Sequence, residues 1–354
     1  TANNNTAVGY LTMLANTTGH ENTAMGRLAL DANTTGSDNV AIGNAALSAN
    51  TTASNNTALG SGALNANTTG SSNTAVGNTS SDSITTGFNN VAVGYGSLGL
   101  DQKGNRSTAI GYRALGTQRF TSDTDTFNTA VGYDAGTAVT TALYNTHVGG
   151  LAGDSTTTGY YNTFFGYNTG NSNVDGGQNV IVGGASDTAA TDGDYANGLG
   201  HGLSCVAGYT TLGKAADDIR AAHGNVTWAT VSDERYKKDI VDSTAGLSFI
   251  NALKPRTFKY KNLGELPETF KAYKADSTDV FKNSDTNHGF IAQEVKIAID
   301  ADSSIKNGFR LWDDRPDGSQ EVAEAALIPV LTKAVQELST ALDAALARIA
   351  TLEG

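Results

Sequence analysis

The chain has 354 residues, enough for two or three domains, and charged residues make up only 16% of it, against about 25% in ordinary globular proteins. Its net charge of −12 argues against nucleic acid and anionic membranes as partners, and no apolar run approaches the ~20 residues of a membrane span. A single cysteine, Cys205, excludes an intrachain disulfide framework. The chain opens on Thr1 without an initiating Met or a signal peptide, as a fragment does.

Internal repeats dominate the first half. Asn5-Thr-Ala-Val-Gly9 recurs as Asn22–Gly26, Asn39–Gly43, Asn56–Gly60, Asn73–Gly77, Asn90–Gly94, Ser107–Gly111, Asn128–Gly132, Asn145–Gly149, Asn162–Gly166 and Asn179–Gly183. The step is 17 residues throughout, except for 21 between Gly111 and Gly132; Gly200 keeps the register and Gly213 falls short by four. A unit of this length is too short for a helical hairpin and fits one coil of a β-solenoid. At about 4.8 Å per coil, a dozen coils span roughly 55–60 Å.

Within the motif, positions two and four share a face, as in Val40/Ile42, Val91/Val93, Val180/Val182 and Thr57/Leu59, and Ala holds the opposite face in the first eight copies. This pattern predicts a short strand buried on both sides, with Thr facing inward beside Val and Ile. Few early side chains are large, so an oligomer that covers the Ala face is expected. The closing Gly permits a positive-φ turn. A second element carries Leu30, Leu47, Leu64, Leu98 and Leu115 in matching positions, and Asn-Thr-Thr-Gly at Asn16, Asn33 and Asn67 reads as a turn.

Towards the end of the array Tyr133, Tyr144, His147, Tyr160, Tyr161, Phe164, Phe165 and Tyr167 stand where Ala and Leu had been. From Gly184 to Val231 the repeats decay. Two readings compete: a wider core with a capping segment, and a receptor-binding tip built on Tyr160, Tyr161, Tyr195, His201 and Tyr209, because aromatic residues on loops serve recognition. His147 and His201 lack metal-ligand company, so no metal and no cofactor is expected.

At Ser232-Asp-Glu-Arg-Tyr-Lys237 the composition changes abruptly. A serine with a lysine nearby can form a Ser-Lys dyad, in which neutral lysine takes the serine proton, and the cations Arg235 and Lys238 beside Lys237 lower its pKa. The i, i+5 spacing points the pair apart on a helix or a strand, so they meet only across a bend or between chains. A competing reading has Ser232 capping a helix whose first turn carries Asp233 and Glu234. From Ile240 to about Glu321 the pattern is mixed α+β. Phe258-Lys-Tyr260 alternates as a strand, 263–286 reads as a loop, and the stretch from His288 to Val295 reads as a strand running into a helix, with His288 in a packing role. Ile328, Leu331, Val335, Leu338, Leu342, Ala345, Ile349 and Leu352 step by three and four, which is a coiled-coil seam, and Pro329 suits the first turn of its helix.

Ser232-Asp233, Arg235 and Lys237 resemble the Ser-Asp-x-Arg-x-Lys opening of the S74 family of self-cleaving intramolecular chaperones, found at the C-termini of phage tailspikes, tail fibres and endosialidases. Trp228 just ahead, the block from Leu253 to Tyr260, Gly289-Phe-Ile-Ala-Gln-Glu-Val295 and Ala326-Leu-Ile-Pro-Val-Leu331 are similar to further blocks of that family, and Tyr236 departs from its usual Leu. The resemblance implies that Ser232 attacks the carbonyl of Val231, assisted by Lys237, and it implies a trimer. The 17-residue units resemble the Asn-Ser-Val-Ala-Ile-Gly repeats of trimeric autotransporter adhesin heads, which implies a trimeric, left-handed parallel β-roll.

The expected fold is mainly β: a trimeric parallel β-solenoid or β-roll of 17-residue repeats over 1–183, degenerate capping repeats over 184–231, an α+β chaperone over 232–325 and a coiled-coil helix over 326–354. The expected function is that of a phage tail-fibre or tailspike fragment, a homotrimer that binds a host-surface glycan or protein. Its chaperone trimerises, templates the solenoid and cuts itself free before Ser232. The expected place is the virion, with the released chaperone left in the host cytoplasm. The alternative is a trimeric bacterial surface adhesin with a non-cleaving trimerisation module. A Thr-rich ice-binding solenoid is a weaker rival, and a polysaccharide-degrading spike lacks a recurrent carboxylate pair.

Overall fold

A computed structural model describes residues 2–224, 229–230, 232–303, 305–306 and 309–353. The chain divides into two units, Thr1–Asp233 and Glu234–Gly354.

The first unit is a β-solenoid of about twelve coils. Each repeat contributes one three-residue strand, beginning with Thr6–Val8, Thr23–Met25 and Val40–Ile42 and continuing to Val180–Val182. These strands pair in parallel and in register, Ala on Ala, as in Ala7↔Ala24 and Ala24↔Ala41. The irregular steps do not break this register. Across the 21-residue repeat Thr108 still pairs with Thr129, and after the shortened one Gly200 pairs with Gly213. The extra residues are absorbed outside the main sheet, where Gly104–Asn105 pairs with Thr124–Asp125. The sheet ends by changing direction: Tyr209–Lys214 pairs antiparallel with Asp217–Ala222, which pairs antiparallel with Ala229–Thr230.

The orientation of the strands corrects the reading from sequence. The central Ala of the motif is the inner residue: Ala24, Ala41, Ala58, Ala75, Ala92 and Ala109 are fully buried against Leu30, Leu47, Leu64, Leu98 and Leu115 of the opposite arm. Positions two and four face outward and are half-buried or exposed, so the Thr column points away from the core. The coil is thin, and the gap between its two arms holds one methyl group and one Leu. The chain buries its own Ala face and needs no oligomer for that purpose.

The core does not widen at its aromatic end. His147, Phe164 and Ile181 continue the inner Ala column. Across from them Leu gives way to Gly136, Gly153 and Gly170. A Cβ at Gly153 would come within 2.6 Å of the His147 ring, and one at Gly170 within 2.4 Å of Phe164. Volume is exchanged across the coil and the spacing is kept. The tyrosines of this stretch lie outside, in columns held earlier by polar residues, so they do not replace Ala and Leu.

Two asparagine ladders tie coil to coil. The Asn that opens each motif accepts the backbone N–H of its counterpart 17 residues on, as Asn73 does from Asn90 at 3.0 Å, and donates its amide to a loop carbonyl, here Gly87 at 2.8 Å. A second ladder joins Asn16, Asn33, Asn50 and Asn67 of the Asn-Thr-Thr-Gly loops. The backbone of the turns pairs in the same way, for example Leu30 N–H to Ala46 carbonyl at 3.0 Å. These bonds pair buried backbone groups from one coil to the next. The closing Gly is required twice over: Gly77 has φ +134, and a Cβ there would sit 2.5 Å from the Gly94 carbonyl oxygen.

The second unit is small and α+β. Helix α1 (Leu247–Ala252), helix α2 (Ala292–Ala301) and helix α3 (Ile328–Glu353) surround a core of Ala245, Phe249, Val295, Ile299, Leu311, Leu327 and Val330. Two antiparallel pairs complete it, Arg256–Phe258 with Asn287–Gly289 and Trp312–Asp314 with Gln320–Val322. The expected loop over 263–286 is irregular apart from a 3-10 turn at Leu263–Glu265. His288 is exposed, 3.4 Å from the Thr257 hydroxyl, so its expected packing role is not met. The N-terminus of α1 is capped from a distance: the Glu337 carboxylate of α3 accepts the Leu247 N–H at 2.8 Å, and Gly246 leaves the room it needs.

Candidate functional site

The junction between the units is an exposed segment. Ser232 has an exposed side chain and non-helical backbone, and Asp233 is half-buried. Glu234–Tyr236 form a single 3-10 turn, closed by the Lys237 N–H donating to the Glu234 carbonyl at 2.8 Å. Arg235 and Lys237 are exposed as well. Ser232 and Asp233 end the first unit, and Lys237 belongs to the second. Val231, the other side of the expected cleavage bond, and Trp228 lie outside the described residues.

Downstream, the elements that follow the junction are held firmly. Arg256 donates twice to Glu294, Nε to Oε2 at 2.9 Å and Nη2 to Oε1 at 2.5 Å, which fastens the strand Arg256–Phe258 to α2. This pairing raises the guanidinium pKa and holds the Glu294 carboxyl below the usual carboxylate range.

Helix α3 has two unlike faces. Leu327 ahead of it, with Val330 and Ala334, is buried in the unit's core. Ile328, Leu331, Val335, Leu338, Leu342, Ile349 and Leu352 are all exposed, as is Ala345, and from Leu338 to Glu353 every residue is exposed. The expected seam therefore runs along one open face of a 26-residue helix whose last half is exposed at every described residue. A hydrophobic stripe of this length in water implies a partner.

Residues 232–302 match the Peptidase S74 family, the chaperone of endosialidase. The match supports an S74-type chaperone domain in this segment. No curated protein and no solved structure matches the chain. The match opens on Ser232 and runs through α2, so it covers the junction turn, α1 and the Arg256–Glu294 clamp. A match to the S74 family implies autoproteolysis, and a β-solenoid followed by such a domain fits a tail-fibre or endosialidase-like protein.

The aromatic residues expected at a tip do not form one cluster. Tyr160, Tyr161 and Tyr195 lie along one flank of the solenoid, with Tyr160 packed edge-on against Tyr161 at 5.7 Å between ring centres. His201 ends the strand Asn197–His201 near Gly184, in the register that follows the closing glycine. Tyr209 begins the next strand, with the Arg220 guanidinium 5.6 Å over its ring. Reading the sequence also missed two stacks, Tyr95–Tyr112–Tyr133 and Phe127–Tyr144–Tyr161. Their signal was present in the repeat period, since ring residues recur at matching positions in successive copies. His147 is buried in the core, stacked on Phe164 at 5.3 Å, and burial pushes its pKa down to about 4. Exposed His20, Glu21 and Asp38 come within 4.8 Å of one another, but no buried unpartnered group aims at them.

Proposed function

We propose that the chain is part of a phage tail fibre or tailspike that attaches to a host cell surface, and that its S74 domain folds the fibre and then leaves it. The carrying observation is the family match that begins at Ser232, one residue before the boundary between the two units. In this reading the Ser232 hydroxyl oxygen attacks the Val231 carbonyl carbon. Neutral Lys237 takes the hydroxyl proton and returns it to the departing Ser232 amine. The resulting ester is hydrolysed by water, giving a chain ending at Val231 and another beginning at Ser232. Asp233 and Arg235 complete the motif and position the turn.

Assembly supplies what one chain lacks. Lys237 is exposed in the single chain, and a neutral lysine needs desolvation or nearby cations. In the proposed trimer this desolvation comes from the neighbouring chains. The solenoid is ready for the same partners: its outward column Val8, Met25, Ile42, Leu59, Val76, Val93 continues apolar and uncharged through later coils. The oligomer thus covers the outer column, in place of the inner Ala face. The homotrimer, the host receptor as partner of the mature fibre, the virion as its place and the host cytoplasm as the place of release all belong to this proposal.

Mass spectrometry of the purified full chain tests it. Wild type yields fragments ending at Val231 and beginning at Ser232, whereas Ser232→Ala and Lys237→Ala each stay whole. Wild type that remains full-length after folding contradicts the proposal and leaves a passive trimerisation module.

A further inference from the structure

The column that precedes each motif Asn sits in the left-handed backbone region in every coil, with φ between 57° and 64° from Asn4 and Glu21 to Asn55 and Asn89. Early coils fill it with residues suited to that conformation, mostly Asn, Asp and Ser. In later coils the same column holds Phe127, Tyr144, Tyr161 and Tyr195, with φ of 49°, 61°, 56° and 58°. Bulky rings are the residues least suited to this backbone. Local folding physics favours Asn at every one of these positions, so the rings are there for another reason.

The rings point into solvent, with Tyr161 51% and Tyr195 54% exposed. Phe127, Tyr144 and Tyr161 stack face to face at 5.8 and 4.6 Å, with Arg106 over the far side of Phe127. Among the described residues the face-to-face stack ends at Tyr161, which Tyr160 meets edge-on at 5.7 Å. Gln178 holds the column one coil on, half-buried, and its side-chain amide makes no hydrogen bond among the described residues. Tyr195 follows, two coils and about 9–10 Å beyond Tyr161. Half-exposed rings at this spacing with an amide between them suit a sugar chain: the C–H face of a pyranose packs on a ring, and its hydroxyls pair with the amide. The neighbouring loops carry Asp175, Asp192 and Asp194, so an acidic glycan is repelled.

We infer that the flank formed by Tyr161, Gln178 and Tyr195, with Tyr160 beside it, is a binding site for a neutral polysaccharide. The inference rests on the attachment reading and names its ligand class and its place on the fibre.

Affinity electrophoresis of the full chain through dextran, mannan, galactan and, as the acidic control, hyaluronan tests it. At least one neutral polymer retards the wild type and hyaluronan does not. The double variant Tyr161→Asn, Tyr195→Asn restores the residue of the early coils. It loses at least tenfold in affinity, keeps the oligomeric state and melts at the same or a higher temperature. Three results overturn the inference: no neutral polymer retards the wild type, the double variant binds undiminished, or it melts lower or dissociates, which makes the rings a structural ladder. Adsorption to a panel of bacteria separates the two readings. If wild type and double variant adsorb equally, attachment stands and this site falls. If neither adsorbs while polymer binding persists, attachment falls and the site stands.

Discussion

The solenoid and the S74 domain solve the problem of register in opposite ways. Every interaction that holds the solenoid repeats 17 residues later: Ala on Ala, Asn on Asn, glycine against glycine. A strand shifted by one coil meets nearly the same partners, so the stack is stable once built and poorly specified while being built. The second unit repeats nothing. Glu337 caps only α1, Arg256 clamps only Glu294, and the open face of α3 has one heptad phase. In the proposed assembly that uniqueness sets the alignment of three chains, which the solenoid then inherits. Loss of the template after assembly leaves a structure with no easy route back.

Breaking the unique half has the largest expected effect. Leu338→Asp with Leu342→Asp puts carboxylates on the open face of α3, at several kcal/mol each once buried. Size-exclusion chromatography is expected to show loss of the trimer and aggregation of the intact solenoid sequence. In the repetitive half, Gly77→Ala forces a Cβ against the Gly94 carbonyl at positive φ. Denaturant unfolding is expected to show a loss of about 3 kcal/mol or more.

His147 gives a pH-dependent break. Its folded pKa of about 4 lies below the ordinary 6.5, because burial disfavours the charged ring. The stability it allows is therefore complete above pH 6.5 and is lost as pH falls from 6.5 towards 4, at about 3 kcal/mol in all. Melting curves from pH 7.5 to 4 are expected to show this acid loss in the wild type and a shallower slope in His147→Phe. A smaller effect follows from one rung of the ladder. Asn73→Ala leaves the Asn90 N–H and the Gly87 carbonyl unpaired and is expected to cost about 2 kcal/mol by the same unfolding measurement.

The repeat period, the stacking register through the 21-residue copy and the helix at Ile328 were legible because each rests on spacing alone. The inside of the coil was not. Thr-Ala-Val offers an apolar face either way, and only the thinness of the coil decides that Ala goes in. The same thinness hides the exchange of Leu for Gly opposite His147 and Phe164, which requires knowing that the residues six positions on, Gly153 and Gly170, face them across the coil. At the junction the family match begins at Ser232, where the motif also begins, but motif residues say nothing of burial, and Lys237 is exposed in one chain. The stacked aromatic columns escaped because their outward direction depends on left-handed turns that a repeat pattern does not display.

The central claim is that the S74 domain is needed to form the solenoid and not to keep it. The direct measurement compares one polypeptide, residues 1–231, made in two ways: expressed alone, and released from the full chain after folding. The account predicts that the first aggregates or stays monomeric, while the second is a trimer that resists heating in detergent. A soluble, heat-resistant trimer from residues 1–231 expressed alone would contradict it.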